Sequence, residues 1–360
     1  MQDLLNSGRD RFDVLLIESN VVATLGLLNV FDAPTIQTST FGVMPLTYSN
    51  FGAPTQPLLY PISISVRLYN QTLWEAINNL YKYAIYEYAV RSHERKQDEM
   101  LQRNLGLDQL DILPIRKLYE RVHVYLQSIY PIWVNNPPLP PGIVYTGGMH
   151  QKQPKILSQE LQNILDTTKS GVIYVSFGSN IHASDLNQEK IDMMIRVFSK
   201  LPYDILWKTD QYLHTDVAKN IHVSKWFPQA DLLYHRNIKL FITHGGLQSS
   251  EEAIYAAVPL IGIPMFGDQR MNTENYVHLG IGLQLEWNTL SEEKFTRSIE
   301  RVIGDNSYKE NVVRVSSVVS DQPLSALERA VWWTEYVVRH RGARHLLPAA
   351  ANMSCAQYFE

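Results

Sequence analysis

An α/β protein built on parallel sheets is predicted by three features of the sequence. Short apolar runs recur between amphipathic segments, the turns joining them are short, and the runs end on glycine, serine or acidic residues. The 360 residues are 45% hydrophobic and 19% charged, which is ordinary globular material and enough for two domains. A formal net charge of -4 and a pI near 6.3 exclude the basic footprint of a nucleic-acid binder and favour a small-molecule partner. Cys355 is the single cysteine, so neither a disulfide framework nor a cysteine-based zinc site is available.

In the first part of the chain, Asp13-Val14-Leu15-Leu16-Ile17-Glu18 reads as a buried strand ending in an acid, and Ala33 to Thr38 as a second strand. Composition between Gly42 and Pro61 turns to Pro, Gly, Ser and Tyr, which marks a long loop. Helices are expected over Thr72 to Leu105 and Pro114 to Gln127, followed by an extended stretch that includes Ile132-Trp133-Val134. Leu73, Ile77, Leu80, Ala84 and Tyr88 recur at helical spacing in the first of these. Tyrosine-rich composition and mixed charge favour packing on its own domain over a membrane surface. The run Asn135 to Gly142, with its consecutive prolines, is the strongest breaker in the sequence, and a domain boundary is expected just after it, between Gly147 and Gly148.

Beyond that boundary the alternation is regular. Val172 to Ser176 is a strand, and Ile191, Met194, Val197 and Leu201 give the next helix its buried stripe. Strands recur at Ile205 to Trp207, Leu240 to Thr243 and Pro259 to Ile263. In such a sheet ligands bind outside the carboxyl ends of the strands.

The densest set of polar residues lies at one of those ends, in Thr243-His244-Gly245-Gly246-Leu247-Gln248-Ser249-Ser250-Glu251-Glu252. Two glycines let a ligand approach the backbone, and the unpaired N–H groups and dipole of the following helix favour an anion such as a diphosphate. Ser249, Gln248 and His244 are candidate donors to it, and Glu252 a candidate acceptor from ribose hydroxyls. Taken alone, the decapeptide fits equally a plain turn with Ser and Glu as caps. Its neighbours tip the balance. Trp226-Phe227-Pro228-Gln229 supplies an indole to stack on a planar base and an amide beside it. Phe177-Gly178-Ser179 closes another strand with a phosphate-reaching hydroxyl, and Met265-Phe266-Gly267-Asp268-Gln269 offers an acid and an amide for sugar hydroxyls.

Residues 226 to 269 resemble the signature of the UDP-glycosyltransferase family, which includes the UDP-glucuronosyltransferases and their insect relatives. Trp226, Gln229, His244, Gly245, Gly246, Glu252, Pro259, Pro264, Asp268 and Gln269 fall at the motif positions, and the likeness runs from Phe12-Asp13 to Gly342-Ala343-Arg344-His345-Leu346. The resemblance implies a GT-B type fold, two Rossmann-like domains facing across a cleft, with the N-terminal one incomplete. It implies an acceptor-binding domain over residues 1-147, a UDP-sugar-binding domain over 148-321, and a C-terminal helix within 322-360 that packs back on the N-terminal domain. It also implies inverting, metal-independent transfer of a hexose, glucose favoured over glucuronic acid, to a hydroxyl of a small lipophilic acceptor. UDP-sugar is then a substrate and no cofactor is expected. The absence of an Asp-x-Asp pair agrees with that.

By the same resemblance Trp226 faces the uracil, Glu252 the ribose, Ser179, Ser249 and Gln248 the phosphates, and Asp268 and Gln269 the hexose, with Gln229 beside the base or its sugar and His244 and Gly246 at the leaving group. Many relatives carry Asn or Leu at the position of Gln248. Catalysis in the family resembles a His-Asp dyad, and Glu18 falls at the acid's position. The family's histidine belongs upstream of any histidine here, and His93 and His123 read as solvated or packed residues rather than replacements. Neither a signal peptide nor a membrane-spanning run of roughly 20 residues is visible, although membrane-bound members are anchored on the lumenal side of the endoplasmic reticulum. The chain therefore reads as truncated at both ends, and a UDP-sugar-binding pseudoenzyme without its base is the alternative expectation. The sequons Asn70-Gln71-Thr72 and Asn352-Met353-Ser354 would be usable in a lumenal chain, but such triplets arise often by chance. A nicotinamide-dependent oxidoreductase ranks below both, because no Gly-x-Gly-x-x-Gly stands at a strand end.

Overall fold

The computed structural model describes residues 10–351 apart from 41–44, 54–55, 61–64, 66, 105–111, 180, 182–186 and 210–217. The sequon at Asn352, Cys355, the first seven residues and parts of the 42–61 loop lie outside the described residues. Two compact units make up the chain: Met1–Met149 with Leu324–Glu360, and His150–Pro323.

The first unit contains β1 (Leu15–Glu18), β2 (Thr35–Ser39), α1 (Pro45–Asn50), α2 (Leu73–Asn104), α3 (Ile115–Leu118), β3 (Val122–Gln127) and β4 (Ile143–Tyr145). The four strands are parallel, in the order β1-β2-β3-β4, and the register places Glu18 beside Thr38, and Ser39 beside Gln127. One face carries Ile36, Val124 and Leu126; the other carries Ile17 and Tyr125 with Leu25, Leu28, Ile115 and Leu118.

Four expectations fail in this unit. The stretch expected as a loop over 42–61 contains α1 (Pro45–Asn50). The helix expected over 114–127 covers only Ile115–Leu118 and a 3-10 turn, Tyr119–Arg121, before the chain enters β3. From Val124 the side chains alternate, Val124 and Leu126 to one core and Tyr125 to the other, and pairing on both edges with β2 and β4 prevails over the helical spacing around the run. Ile132-Trp133-Val134 is not extended but a 3-10 turn, Pro131–Val134, entered through proline with Trp133 buried. On α2 the stripe of Leu73, Ile77, Leu80 and Tyr88 is exposed, whereas Asn79 on another face is buried. The helix is held instead near its far end, where Asp98 Oδ1 accepts from the Ile115 backbone N–H at 2.7 Å and Leu101 packs over Gly26.

The second unit runs α4 (Gln159–Thr167), β5 (Val172–Ser176), α5 (Gln188–Lys200), β6 (Asp204–Lys208), β7 (Ile221–Ser224), α6 (Gln229–Leu233), β8 (Ile238–Thr243), α7 (Leu247–Tyr255), β9 (Leu260–Gly262), α8 (Gln269–His278), β10 (Gly282–Gln284), α9 (Glu292–Gly304) and α10 (Asn306–Ser320). Its six strands are parallel, in the order β10-β9-β8-β5-β6-β7. Ile173, Val175, Ile205, Trp207, Leu240 and Ile242 meet Ile191, Met194 and Phe198 of α5 and Phe295 and Ile299 of α9. On the opposite face Tyr174 stacks on Phe241 at 5.0 Å. The chain leaves β5 toward β6 and β7 on one side and returns as β8 on the other, so the order reverses between β5 and β8. A crevice opens outside the carboxyl ends of two strands that diverge in this way.

α11 (Ala326–Arg339) closes the first unit; a reciprocal pair between Ser325 and Glu328 caps it, and Ala330 and Val337 join the core that contains Ile36 and Val124. No helix among the described residues is long and apolar enough to cross a membrane.

Candidate functional site

The crevice between β5 and β8 is lined by backbone. The chain leaves β5 through Gly178 at φ +78 and leaves β8 through His244, Gly245 at φ +87 and Gly246. A Cβ on Gly178 would lie 2.7 Å from His244 Cε1, and one on Gly246 would lie 2.7 Å from His244 Nε2. The imidazole is thus clamped between two backbones that only glycine permits at this separation. Burial, with the Lys208 cation adding to it, pulls the His244 pKa down to about 4. Near neutral pH the ring is uncharged and has one N–H to donate.

Lys208 ends β6. Its Nζ donates to the Gly178 carbonyl at 2.8 Å and stands 5.0 Å from the centre of the Trp226 ring. The indole is 69% exposed, an unusual state for tryptophan and one that leaves a face for a planar ligand. Ser179 is exposed just beyond Gly178. α7 opens at Gly246 without a side-chain cap, so the N–H groups of Leu247, Gln248 and Ser249 begin the helix at its positive end. Gln248 is exposed and Ser249 half-buried.

Gln229, the first residue of α6, ties two elements together. Its Nε2 donates to Glu252 Oε2 at 2.7 Å and to Ser249 Oγ at 3.0 Å. Burial raises the Glu252 pKa, the Gln229 bond opposing it and the Asp231 charge adding to it. At the start of α8, Asn272 Nδ2 donates to Asp268 Oδ2 and to the Gly245 carbonyl, each at 2.9 Å. Burial raises the Asp268 pKa, and the Asn272 bond opposes the rise. Gln269 is 4% exposed, and its Oε1 accepts the backbone N–H groups of Met265 at 2.8 Å and Phe266 at 3.0 Å. Its carbonyl therefore shapes the 264–267 loop, and only its amide nitrogen remains for a ligand.

Ten of the eleven residues singled out from the sequence thus belong to the strand ends of the second unit. Glu18 stands in the first, at the end of β1, where Oε1 accepts from Asn20 Nδ2 at 2.7 Å. His93 is exposed on α2, and His123, on β3 rather than a helix, accepts the Ala343 backbone N–H at Nδ1, 3.2 Å away. Two residues beside the crevice were not anticipated. Lys208 carried a visible signal, a cation closing an apolar strand in line with Ser176 and Thr243. His150, 3.6 Å from the buried Glu251 carboxylate, carried none, because it lies about a hundred residues upstream in the chain.

The profile of the family described as UDP-glucoronosyl and UDP-glucosyl transferase matches residues 3–360. An ecdysteroid UDP-glucosyltransferase of Lymantria dispar multicapsid nuclear polyhedrosis virus is 33% identical over 359 residues, which cover 98% of this chain and 70% of that protein. A UDP-glycosyltransferase of Dactylopius coccus is 34% identical over 362 residues, 99% of this chain and 68% of that one. Among solved structures, the spinosyn forosaminyltransferase SpnP superposes with a TM-score of 0.64 at 16% identity over 94% of this chain and 79% of its own. A UDP-glucose:anthocyanidin 3-O-glucosyltransferase solved with UDP gives 0.62 at 16% identity over 91% and 75%. At that identity the likeness speaks for the fold, two parallel α/β sheets of the GT-B type.

Proposed function

The chain belongs to the UDP-glucuronosyl and UDP-glucosyl transferase family, and from that premise we propose that it transfers a hexose, glucose in preference to glucuronic acid, from UDP to a hydroxyl of a small lipophilic acceptor. One observation carries the reading: at the reversal point of a parallel sheet, a neutral imidazole, a lysine and an uncapped helix N-terminus converge on two glycine-lined backbones. A diphosphate is the ligand that such a set of donors suits.

In this reading the uracil stacks on Trp226 and the ribose hydroxyls donate to the Glu252 carboxylate, which burial places in a low dielectric where such bonds are strong. The diphosphate takes the first N–H groups of α7, with Ser179, Gln248, Ser249, Lys208 and the His244 N–H around it. Asp268 and the Gln269 amide meet the hexose. The acceptor oxygen attacks the anomeric carbon from the side opposite UDP, the glycosidic bond to the phosphate oxygen breaks, and configuration inverts. Charge developing on the leaving diphosphate falls on donors already in place, which is where preorganised electrostatics contributes most to rate. By the family resemblance the acceptor's proton would pass to a histidine oriented by the acid at the position of Glu18, whose Oε1 is engaged with Asn20; no histidine of this sequence falls at that base's position. The preference for glucose rests on the naming of the viral relatives as glucosyltransferases.

Calorimetric titration with UDP, UDP-glucose and UDP-glucuronic acid tests the donor half, and mass spectrometry of products from a lipophilic alcohol tests the transfer. Failure to bind UDP would overturn the reading, and tighter binding of UDP-glucuronic acid than of UDP-glucose would reverse the sugar preference.

A further inference from the structure

The solvent side of α2 changes character along its length. Leu73, Trp74, Ile77, Tyr81, Ile85 and Tyr88 recur on one helical face and are all exposed, Leu73, Trp74 and Tyr88 by 75%, 78% and 77%. Single exposed apolar side chains are ordinary, but a contiguous set on one face marks an interaction surface. The same helical steps continue past Tyr88 to Arg91, Arg95, Glu99 and Arg103, with Lys96 beside them, and all five are exposed. Arg91 stands 3.9 Å from Glu87 and Arg103 3.9 Å from Glu99, whereas Arg95 and Lys96 have no ionic partner among the described residues. Of the remaining acids on this half, Glu94 is half-buried and Asp98 holds the Ile115 backbone N–H. The outward face is thus apolar and aromatic over roughly its first four turns and then presents four cations against one exposed anion.

Both halves of that face suit a lipid surface. Trp and Tyr pair an apolar body with a polar tip and concentrate where hydrocarbon meets water, and cations beside them complement anionic head groups. The helix is not apolar enough to cross a bilayer, and its inner side is tied to its own domain, so the geometry is that of an element lying in the interface. A second copy of the chain fits less well. In any pairing of two α2 helices the cations would face one another, the partner's apolar half or water, and none of these matches their charge. We propose that the outward face of α2 binds the surface of a bilayer carrying anionic head groups, the aromatic half entering the interface and the basic half meeting the head-group charge. The inference stands apart from the reading of the crevice in the second unit.

Co-sedimentation of the whole chain with sucrose-loaded vesicles tests it, using phosphatidylcholine alone and phosphatidylcholine with about 30% phosphatidylserine. Wild type is expected to partition onto the anionic vesicles about tenfold or more better than onto the neutral ones, and about 0.5 M salt is expected to erase the difference. A triple variant, Arg91→Gln with Arg95→Gln and Lys96→Gln, is expected to lose the preference, at about fivefold per charge, and to bind both vesicles alike. A second triple variant, Trp74→Ser with Tyr81→Ser and Tyr88→Ser, is expected to fall to background on both. All six side chains are exposed, so both variants are expected to keep the wild-type melting temperature and UDP affinity. A wild type that stays off both vesicles, or binds them equally at low salt, overturns the inference without a variant. An aromatic variant that binds as wild type does also overturns it. So does a wild-type dimer that the aromatic substitutions dissociate while no vesicle binds, because the face then belongs to a second copy.

Discussion

His244 should stay neutral far into the acid range, and replacing it with glutamine should remove part of the protein's acid sensitivity. Burial is the first cause of its low pKa and the Lys208 charge the second, and together they bring the ring from 6.5 to about 4. The sign follows from which state binds the proton. Above about pH 6.5 the ring is neutral whether the chain is folded or not, and its contribution to stability is complete. Between about pH 6.5 and about pH 4 the unfolded chain takes up a proton that the folded chain refuses, so stability falls as the solution is acidified. At about 1.36 kcal/mol per pH unit the whole effect is roughly 3 kcal/mol. Urea unfolding of wild type and His244→Gln at about pH 7 and about pH 4 should show wild type losing more stability by about that amount. Proton NMR of the His244 ring gives its midpoint directly. A ring that titrates near its ordinary value, or a variant as acid-sensitive as wild type, refutes the argument that the two glycine backbones desolvate the imidazole. Donor affinity should also be flat over about pH 6 to 8 as far as this residue is concerned, since its charge does not change there.

Trp226→Ala should weaken UDP and UDP-glucose equally, by about 1–3 kcal/mol, since the indole would meet only the shared base; calorimetry with both ligands checks it, and an unchanged UDP affinity counts against the stack. Asp268→Asn should weaken UDP-glucose while sparing UDP, whereas Gln269→Ala should also lower the melting temperature, because it deprives the Met265 and Phe266 N–H groups of their acceptor at about 1–3 kcal/mol. A Gln269→Ala protein that melts like wild type would show that water replaces that carbonyl. Gly178→Ala combines the left-handed backbone penalty of about 1–2 kcal/mol with an overlap cost of about 1–3 kcal/mol against His244. Its unfolding midpoint should drop and UDP binding should fall with it; a wild-type midpoint would mean that the clamp yields easily.

The second unit was legible because its chemistry is local in sequence. β5, β6, β8 and β9 are built on short apolar runs, and the residues that follow β5 and β8, Gly178-Ser179 and His244-Gly245-Gly246, stand at the crevice, whereas β7 and β10 carry no such run. The first unit was less legible for a reason that Val122 to Gln127 illustrates. A six-residue run of this kind satisfies helical and strand periods alike, and the arbiter was the pair of neighbouring strands, one of which, β4, is only three residues long. The apolar stripe on α2 misled in another way, since exposure of Leu73 and Tyr88 depends on what the fold brings opposite them and not on their spacing. His150 shows the same limit at the site. Contact with Glu251 joins residues far apart in the chain, and no local pattern encodes it.

The glycines and the buried amides at the crevice also bear on why its parts would act together. A Cβ on Gly245 or on Gly262 would overlap the Thr273 methyl group, so the turn after β8 and the end of β9 both press on α8. From the same helix, Asn272 is fully buried and divides its two N–H donors between the Gly245 carbonyl and Asp268. Ser250 of α7 bonds both the Gly246 carbonyl and the Tyr276 hydroxyl of α8, which is likewise buried. The glycine turn, the uncapped helix start and the Asp268 carboxylate are thereby fixed to one another by groups that cannot shift without stranding a buried donor or acceptor. Preorganisation of this kind sets the distance between the glycine turn and Asp268 before any ligand arrives. A substitution behind the turn, at Thr273 or Asn272, would then disturb diphosphate and hexose recognition together, although neither side chain would touch the ligand.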